Sequence, residues 1–446
     1  MGPLSRPPRA GQVWGFRVAL VTAVVLNLVV LGLLATRPAP SVPVAQAPTP
    51  TVGAGPTLAP TAVASGPTLA PTAVAAGPTL PPALGTASPA PLDTPTPLAH
   101  VLHPEGKIRG VNIPVWGPDF SVANPSIAGA AALDANWVAL VSHWYVASAV
   151  PYSGGGIFRE EGAVDNGQRR TASDESLGQA IDTAHALGLK VLLKPHVDWR
   201  ESPSWRGYIY FDDQQAPGGR ADWWASYRAM IGDTVRLALD HGAEGICIGT
   251  EFWSINKEPG SAAEWTRIIQ QIRALGYRGQ LTYAANWGAF GADAEYNRPG
   301  LAGVWQQLDF VGVDAYYPIS DARDPTLDAL VAGWHQGPPP VQQDNVAELT
   351  KLHEQTGKSI VFTEIGYPAI DYGAKNPGGD DAGPENLALQ SRAAQAVYQV
   401  WGDVPWWGGA LWWQYGPVAN THSLQGRPIL DQLRQLWAQQ TATALR

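Results

Sequence analysis

Residues 245–252 read GICIGTEF, and residues 359–367 read SIVFTEIGY. Each is a short run of apolar and β-branched residues that arrives at a threonine and a glutamate: Thr250 and Glu251 in the first, Thr363 and Glu364 in the second. A run with no polar alternation is what a strand buried on both faces looks like, as in a parallel sheet covered by helices. Six more runs share the texture: RGVNIP (109–114), WVALVSHW (137–144), VLLKPHVDW (191–199), QLTYAANW (280–287), FVGVDAYYP (310–318) and GALWWQY (409–415).

Amphipathic stretches lie between the runs. Residues 261–276 place Trp265, Ile268, Ile269, Ile272 and Leu275 on one helical face; Ser261 and Glu264 have capping-box spacing and Gly276 ends the pattern. Residues 222–240 carry Trp223, Tyr227, Ile231, Val235 and Ala238 on one stripe, and Leu177, Ile181, Ala184 and Leu187 make another before Gly188. Residues 345–357 and 429–437 read as further helices, while the units after the first and fifth runs show no clear stripe. Strand and helix alternating eight times predicts an α/β fold, a closed (β/α)8 TIM barrel. An open doubly wound sheet would offer a glycine-rich turn after its first strand, and RGVNIPVWG does not match one.

In such a barrel the working residues sit at the C-terminal ends of the strands. That rule selects Asn112, Trp144, His196, Asp198, Glu251, Asn286, Tyr316, Tyr317, Glu364, Tyr367, Trp412, Trp413 and Gln414. Glu251 and Glu364 end the fourth and seventh strands. Either glutamate alone fits a structural ion pair. Two carboxylates on opposite strand ends fit the pair that flanks a glycosidic bond during cleavage. Core packing accounts for more than half of the 19 Trp residues. Trp199, Trp205, Trp287, Trp412 and Trp413 are the candidates for stacking on sugar rings. Tyr316 or Tyr317 is placed to donate to a glutamate and hold it ionised, His196 to bind a sugar hydroxyl, and Asp198 and Asn286 to grip substrate. No metal-ligand spacing and no G-x-S-x-G elbow occurs, so neither a metal, a cofactor nor a serine triad is expected.

Composition limits the partners. Hydrophobic residues make up 45% of the 446-residue chain and charged residues 15%, with a net charge of −9 and no basic run. Nucleic acid is therefore an unsuitable partner. The single cysteine, Cys247, excludes an internal disulfide and reads as a small buried hydrophobe. A monomer is expected.

The N-terminal part has a different character. Residues 1–17 carry Arg6, Arg9 and Arg17 without an acid, and residues 18–35 (VALVTAVVLNLVVLGLLA) contain no charge. The length favours an uncleaved signal anchor over a cleaved signal peptide, with the barrel outside the cytoplasm or secreted if cleavage occurs. An A-x-A match at Ala45-Gln46-Ala47 lies well beyond the run. Residues 36–100 repeat an eleven-residue unit, GPTLAPTAVAS at 55–65 and GPTLAPTAVAA at 66–76. Proline at that density blocks helix and ladder, so a disordered Pro/Ala/Thr-rich linker is expected there, with the barrel in 101–446.

Several segments also carry a resemblance. KPHVDW (194–199), WRGYI (205–209), GICIGTEF and FTEIGYPAIDYGA (362–374), with the stretch 390–415 and GRPILDQLRQLW (426–437), resemble glycoside hydrolase family 113 over roughly residues 105–440. In the broader clan A the acid/base glutamate follows an asparagine; Thr250 stands there instead, which agrees with the family. The resemblance implies an endo-β-1,4-mannanase acting with net retention, with Glu251 as acid/base, Glu364 as nucleophile, and Trp205, Tyr316 and Trp412 lining the cleft. The rival expectations are a non-catalytic cell-surface glycan-binding barrel and a clan A β-glycosidase of different linkage.

Overall fold

The computed structural model describes residues 106–146, 157–158, 171–200, 204–210, 219–288, 294–339, 342–379 and 382–444. The signal anchor and linker expected within residues 1–100 lie outside the described residues. Among the described residues, no helix is long and apolar enough to cross a membrane.

The apolar runs form strands β1 (Ile108–Val115), β2 (Trp137–Val146), β4 (Lys190–Leu193), β6 (Gly245–Thr250), β7 (Gln280–Asn286), β8 (Val311–Asp314), β9 (Ile360–Ile365) and β10 (Trp407–Trp412). Each pairs in parallel with the next in that order, and β10 pairs with β1, which closes an eight-stranded barrel. Closure depends on Gly409: its φ is 101°, and a Cβ there would meet the Ile108 carbonyl oxygen at 2.1 Å. A short strand β3 (Ile157–Phe158) pairs antiparallel with the end of β2. The third run is broken at Pro195, which has no N–H to give a ladder. Its second half, β5 (His196–Trp199), runs along the upper part of β2 and sets His143 beside His196 and Tyr145 beside Asp198.

The helices are α1 (Asn124–Ala132), α2 (Asp174–Ala186), α3 (Gly219–His241), α4 (Ser261–Ala274), α5 (Leu327–His335), α6 (Asn345–Thr356), α7 (Leu387–Trp401) and α8 (Ile429–Ala444). Between β7 and β8 the described residues form only 3-10 turns, at Glu295–Asn297, Pro299–Leu301 and Trp305–Gln307. Pro299 and the positive φ of Gly303 (74°) are incompatible with one continuous helix. The capping box expected at Ser261 does not form. Gly260 is the N-cap, Ser261 Oγ donates to the Ile255 carbonyl at 2.8 Å, and Glu264 is taken up by Arg228 and Arg267.

Strand alternation divides the core in two. Ile108, Trp137, Ala139, Leu192, Cys247, Ala284, Phe310, Val361 and Leu411 fill the barrel interior as one cluster. The larger cluster lies between the sheet and the helices, where Trp223, Trp265, Trp334, Trp401, Trp407 and Trp437 are fully buried. Most of the tryptophans thus build the outer layer of the core.

Candidate active site

The interior-facing phase that begins with these apolar residues turns polar near the C-terminal ends of the strands. Two residues above Leu192 stands Lys194, and four above Phe310 stands Asp314, both fully buried. In β9 the register shifts after the Val313–Phe362 pair, so that Asp314 aligns with Glu364 and not with Thr363. Such a bulge lets two successive residues serve one partner. Thr363 Oγ1 donates to Asp314 Oδ1 at 2.7 Å, and Glu364 reaches the ammonium that Asp314 also holds.

Glu364 is held by donors. Lys194 Nζ donates to its Oε1, and Tyr316 Oη donates to Oε2 at 2.8 Å. Lys194 also donates to Asp314 Oδ1 and Oδ2 at 3.1 and 3.2 Å. Burial pulls the ammonium down, but the carboxylates of Asp314 and Glu364 outweigh it and keep Lys194 a cation. Burial, then repulsion from Glu364, pushes the Asp314 carboxyl well above the usual range. Burial and the adjacent Glu364 likewise raise the Tyr316 phenol, so it remains a neutral donor. His196 Nε2 lies 3.3 Å from Glu364 Oε1 without hydrogen-bond alignment, and its ring is parallel to that of Trp413. Burial holds this imidazole far below its usual pKa, hence neutral.

Glu251 sits just past β6, beyond a register shift between Cys247 and Thr250, with a left-handed φ of 55°. A glutamate in that conformation stores strain and persists only where its surroundings fix it. Its N–H donates to the Ala284 carbonyl at 2.9 Å. Asn286 Nδ2 donates to Oε1 at 2.9 Å, while Trp205 Nε1 and Arg206 Nη1 donate to Oε2 at 2.7 and 3.2 Å. Arg206 in turn grips Asp198 through Nε at 3.0 Å and Nη2 at 2.8 Å, and Asp198 Oδ2 is 2.7 Å from His143 Nδ1. Burial opposes the charge on Asp198, but Arg206 and His143 hold its carboxyl far below the usual range. Contacts join the two carboxylates: Arg206 links Glu251 to Asp198, Asp198 bonds His143, the His143 ring meets that of His196 edge-on at 5.3 Å, and His196 Nε2 lies 3.3 Å from Glu364.

The chain as a whole is similar to known proteins. The model of "Glycoside Hydrolase Family 113" matches residues 126–424. The chain belongs to glycoside hydrolase family 113. It is a glycoside hydrolase, and its substrate is a carbohydrate. A family 113 β-mannanase from Alicyclobacillus acidocaldarius, solved in complex with ManMIm, is similar in fold at 24% identity and TM-score 0.59, covering 75% of this chain and 98% of that one. Two further structures, each described as a GH113 β-1,4-mannanase, match at 20% and 21% identity and TM-scores of 0.59 and 0.58, over 75% of this chain and 99% of theirs. No curated protein matches the sequence.

This family 113 chain gathers most of the residues expected to act on or hold the substrate. Glu251, Glu364, His196, Asp198, Trp205, Asn286, Tyr316 and Trp413 all join the two networks. Two others do not. Trp412 is fully buried, stacks on Tyr398 of α7 and donates to its hydroxyl at 3.3 Å, so it packs the outer layer and lines no cleft. Tyr317 is buried against Trp334 and Tyr296. In each case the neighbour in sequence, Trp413 or Tyr316, just past the end of its strand, is the one that meets the Glu364 network. Trp199 is also buried, donating to the Trp205 carbonyl at 3.3 Å, while Trp287 remains partly exposed.

Sequence reasoning passed over Lys194, Asp314, Arg206 and His143. For the first two a signal existed: a lysine and an aspartate inside apolar runs, in phase with the barrel interior. Losing the Lys194 ammonium leaves the buried Glu364 carboxylate without its cation and Asp314 without its donor. Lys194→Met should therefore lower stability by about 3–5 kcal/mol, measured as a reduced denaturation midpoint in urea; a midpoint equal to wild type would show that Asp314 and Glu364 do not depend on it.

Proposed function

We propose that the protein is a retaining endo-β-1,4-mannanase tethered to the membrane with its barrel outside the cytoplasm. One observation carries the chemistry: two glutamates on the fourth and seventh barrel strands share a mouth, each with its own set of donors. Glu364, facing a lysine and a phenol, is the nucleophile. It attacks the anomeric carbon while Glu251 delivers a proton to the departing glycosidic oxygen. Glu251 then takes a proton from water as that water attacks the same carbon, and Glu364 leaves as a carboxylate. Of the roughly four lone-pair sites on a carboxylate, three on Glu251 face N–H donors. The proton it transfers is therefore carried on Oε1, which meets a single donor, Asn286. Trp205, Trp287 and Trp413 supply apolar faces for pyranose rings. The mannan preference is supported by the β-mannanase descriptions of the family structures of similar fold.

A panel of β-1,4-mannan, β-1,4-glucan, xylan and galactan with reducing-end detection tests the substrate, and NMR of the first product tests the stereochemistry. Mannan cleavage with the β-anomer first is the expected outcome. Cleavage of another polymer alone would overturn the specificity, and an α-anomer would overturn double displacement. The tether rests on the uncharged residues 18–35 and the long proline-rich stretch after them. Full-length protein should fractionate with membranes; mature protein in the medium beginning near residue 48 would show a cleaved signal instead.

A further inference from the structure

Glu295, on the first 3-10 turn after β7, is fully buried and lies outside the reaction described above. Every group that touches it is a donor. Tyr283 Oη donates to Oε1 at 2.5 Å, Asn256 Nδ2 to Oε1 at 2.7 Å, and the Asn286 backbone N–H to Oε2 at 2.7 Å. The direction of the tyrosine bond is fixed by its other contacts. Tyr283 Oη already accepts from the Phe252 N–H at 2.9 Å and from Asn256 Nδ2 at 2.8 Å, so its one proton goes to Glu295. Asn256 is set in turn by Trp265 Nε1, which donates to Oδ1 at 2.8 Å. Asn286 Oδ1 accepts from the Gly288 N–H at 3.0 Å, which turns Nδ2 toward Glu251.

These bonds lead to both flanks of Glu251. One branch runs through Tyr283 to the N–H of Phe252, the residue that follows the strained backbone. The other runs through the Asn286 backbone to the side chain that donates to Glu251 Oε1. We infer that Glu295 is a positioning residue for Glu251: a buried acceptor that fixes the left-handed turn and the Asn286 donor together, and so fixes where the acid/base proton points. Burial opposes this charge and pushes the Glu295 carboxyl up to about 8, against the pull of its three donors. Glutamine cannot replace it. Its amide would turn an N–H toward at least one of those donors and leave that donor unpaired.

The inference rests on Glu251 being the acid/base, and the experiment separates the two. In full-length protein, rates are compared on β-mannan, whose leaving group needs a proton, and on a dinitrophenyl β-mannobioside, whose leaving group does not. Glu251→Ala sets the reference: a much larger loss on mannan than on the aryl substrate. Glu295→Gln should show the same bias, with a loss on mannan at least about tenfold greater than on the release of dinitrophenolate, the lower part of the range for acid–base assistance. A misplaced fold would lower both rates alike. Tyr283→Phe, which cuts the link to Phe252 while keeping the ring, should bias the ratio in the same direction and decides the matter if Glu295→Gln does not fold. An unbiased Glu251→Ala removes the acid/base reading and the inference with it. A biased Glu251→Ala beside equal losses in Glu295→Gln or Tyr283→Phe removes the inference alone.

Discussion

Glu364→Ala protein should release no reducing sugar from any polysaccharide the wild type cuts, with kcat down by at least about four orders of magnitude, the scale set when a nucleophile is lost. Binding should survive, because the aromatic faces and the Glu251 network are untouched. The fold should survive as well: Lys194 keeps Asp314 as a partner, so no uncompensated buried cation results. The vacancy beside Tyr316 and His196 admits a small anion. Azide added to this variant should attack from the face that Glu364 occupied and give the α-glycosyl azide from an activated β-mannobioside. Turnover within tenfold of wild type, or rescue giving the β-azide, would assign the nucleophile elsewhere.

Glu251→Ala should lose about 10²–10⁴-fold on mannan, the range for general acid–base assistance, and it should do so unevenly. A dinitrophenolate leaves without a proton, so its release keeps a rapid first phase. The second step then lacks its base, and the sugar stays attached to Glu364 long enough for intact-protein mass spectrometry to register the added mass. Azide should relieve that block and give the β-azide, the opposite anomer to that from Glu364→Ala. Equal slowing on both substrates, with no initial burst, would mean that Glu251 neither gives nor takes the proton.

The barrel and its two glutamates were legible in the sequence for one reason. Strands buried on both faces leave uninterrupted apolar runs, and the residue where each run stops sits at the mouth. The same reading could not choose between neighbours. Trp412 and Trp413, or Tyr316 and Tyr317, stand side by side where bulges and strand ends set the phase, and a register shift is invisible in one sequence. Buried charge was hidden differently. Lys194 and Asp314 interrupt their runs, yet only three-dimensional pairing shows that they bond each other and that Lys194 also holds Glu364. Arg206 and Glu295 lie on short 3-10 turns, where no periodicity marks an inward side chain. The fifth unit gave no helical stripe because, among the described residues, its connection is a series of such turns.

Cys247 has a use that follows from its place alone. Its thiol lies in the barrel interior, fully buried, with Sγ bonded to the Gly249 carbonyl at 3.1 Å. Burial pushes it up to about 11, although Lys194 pulls the other way. Alkylating reagents react with thiolate, so the folded barrel shields this sulfur twice, by access and by protonation. As the sole thiol in the chain it gives one chemical signal, uncontaminated by any other. Its modification rate is a built-in clock for how often the barrel wall parts, read a few residues from Glu251.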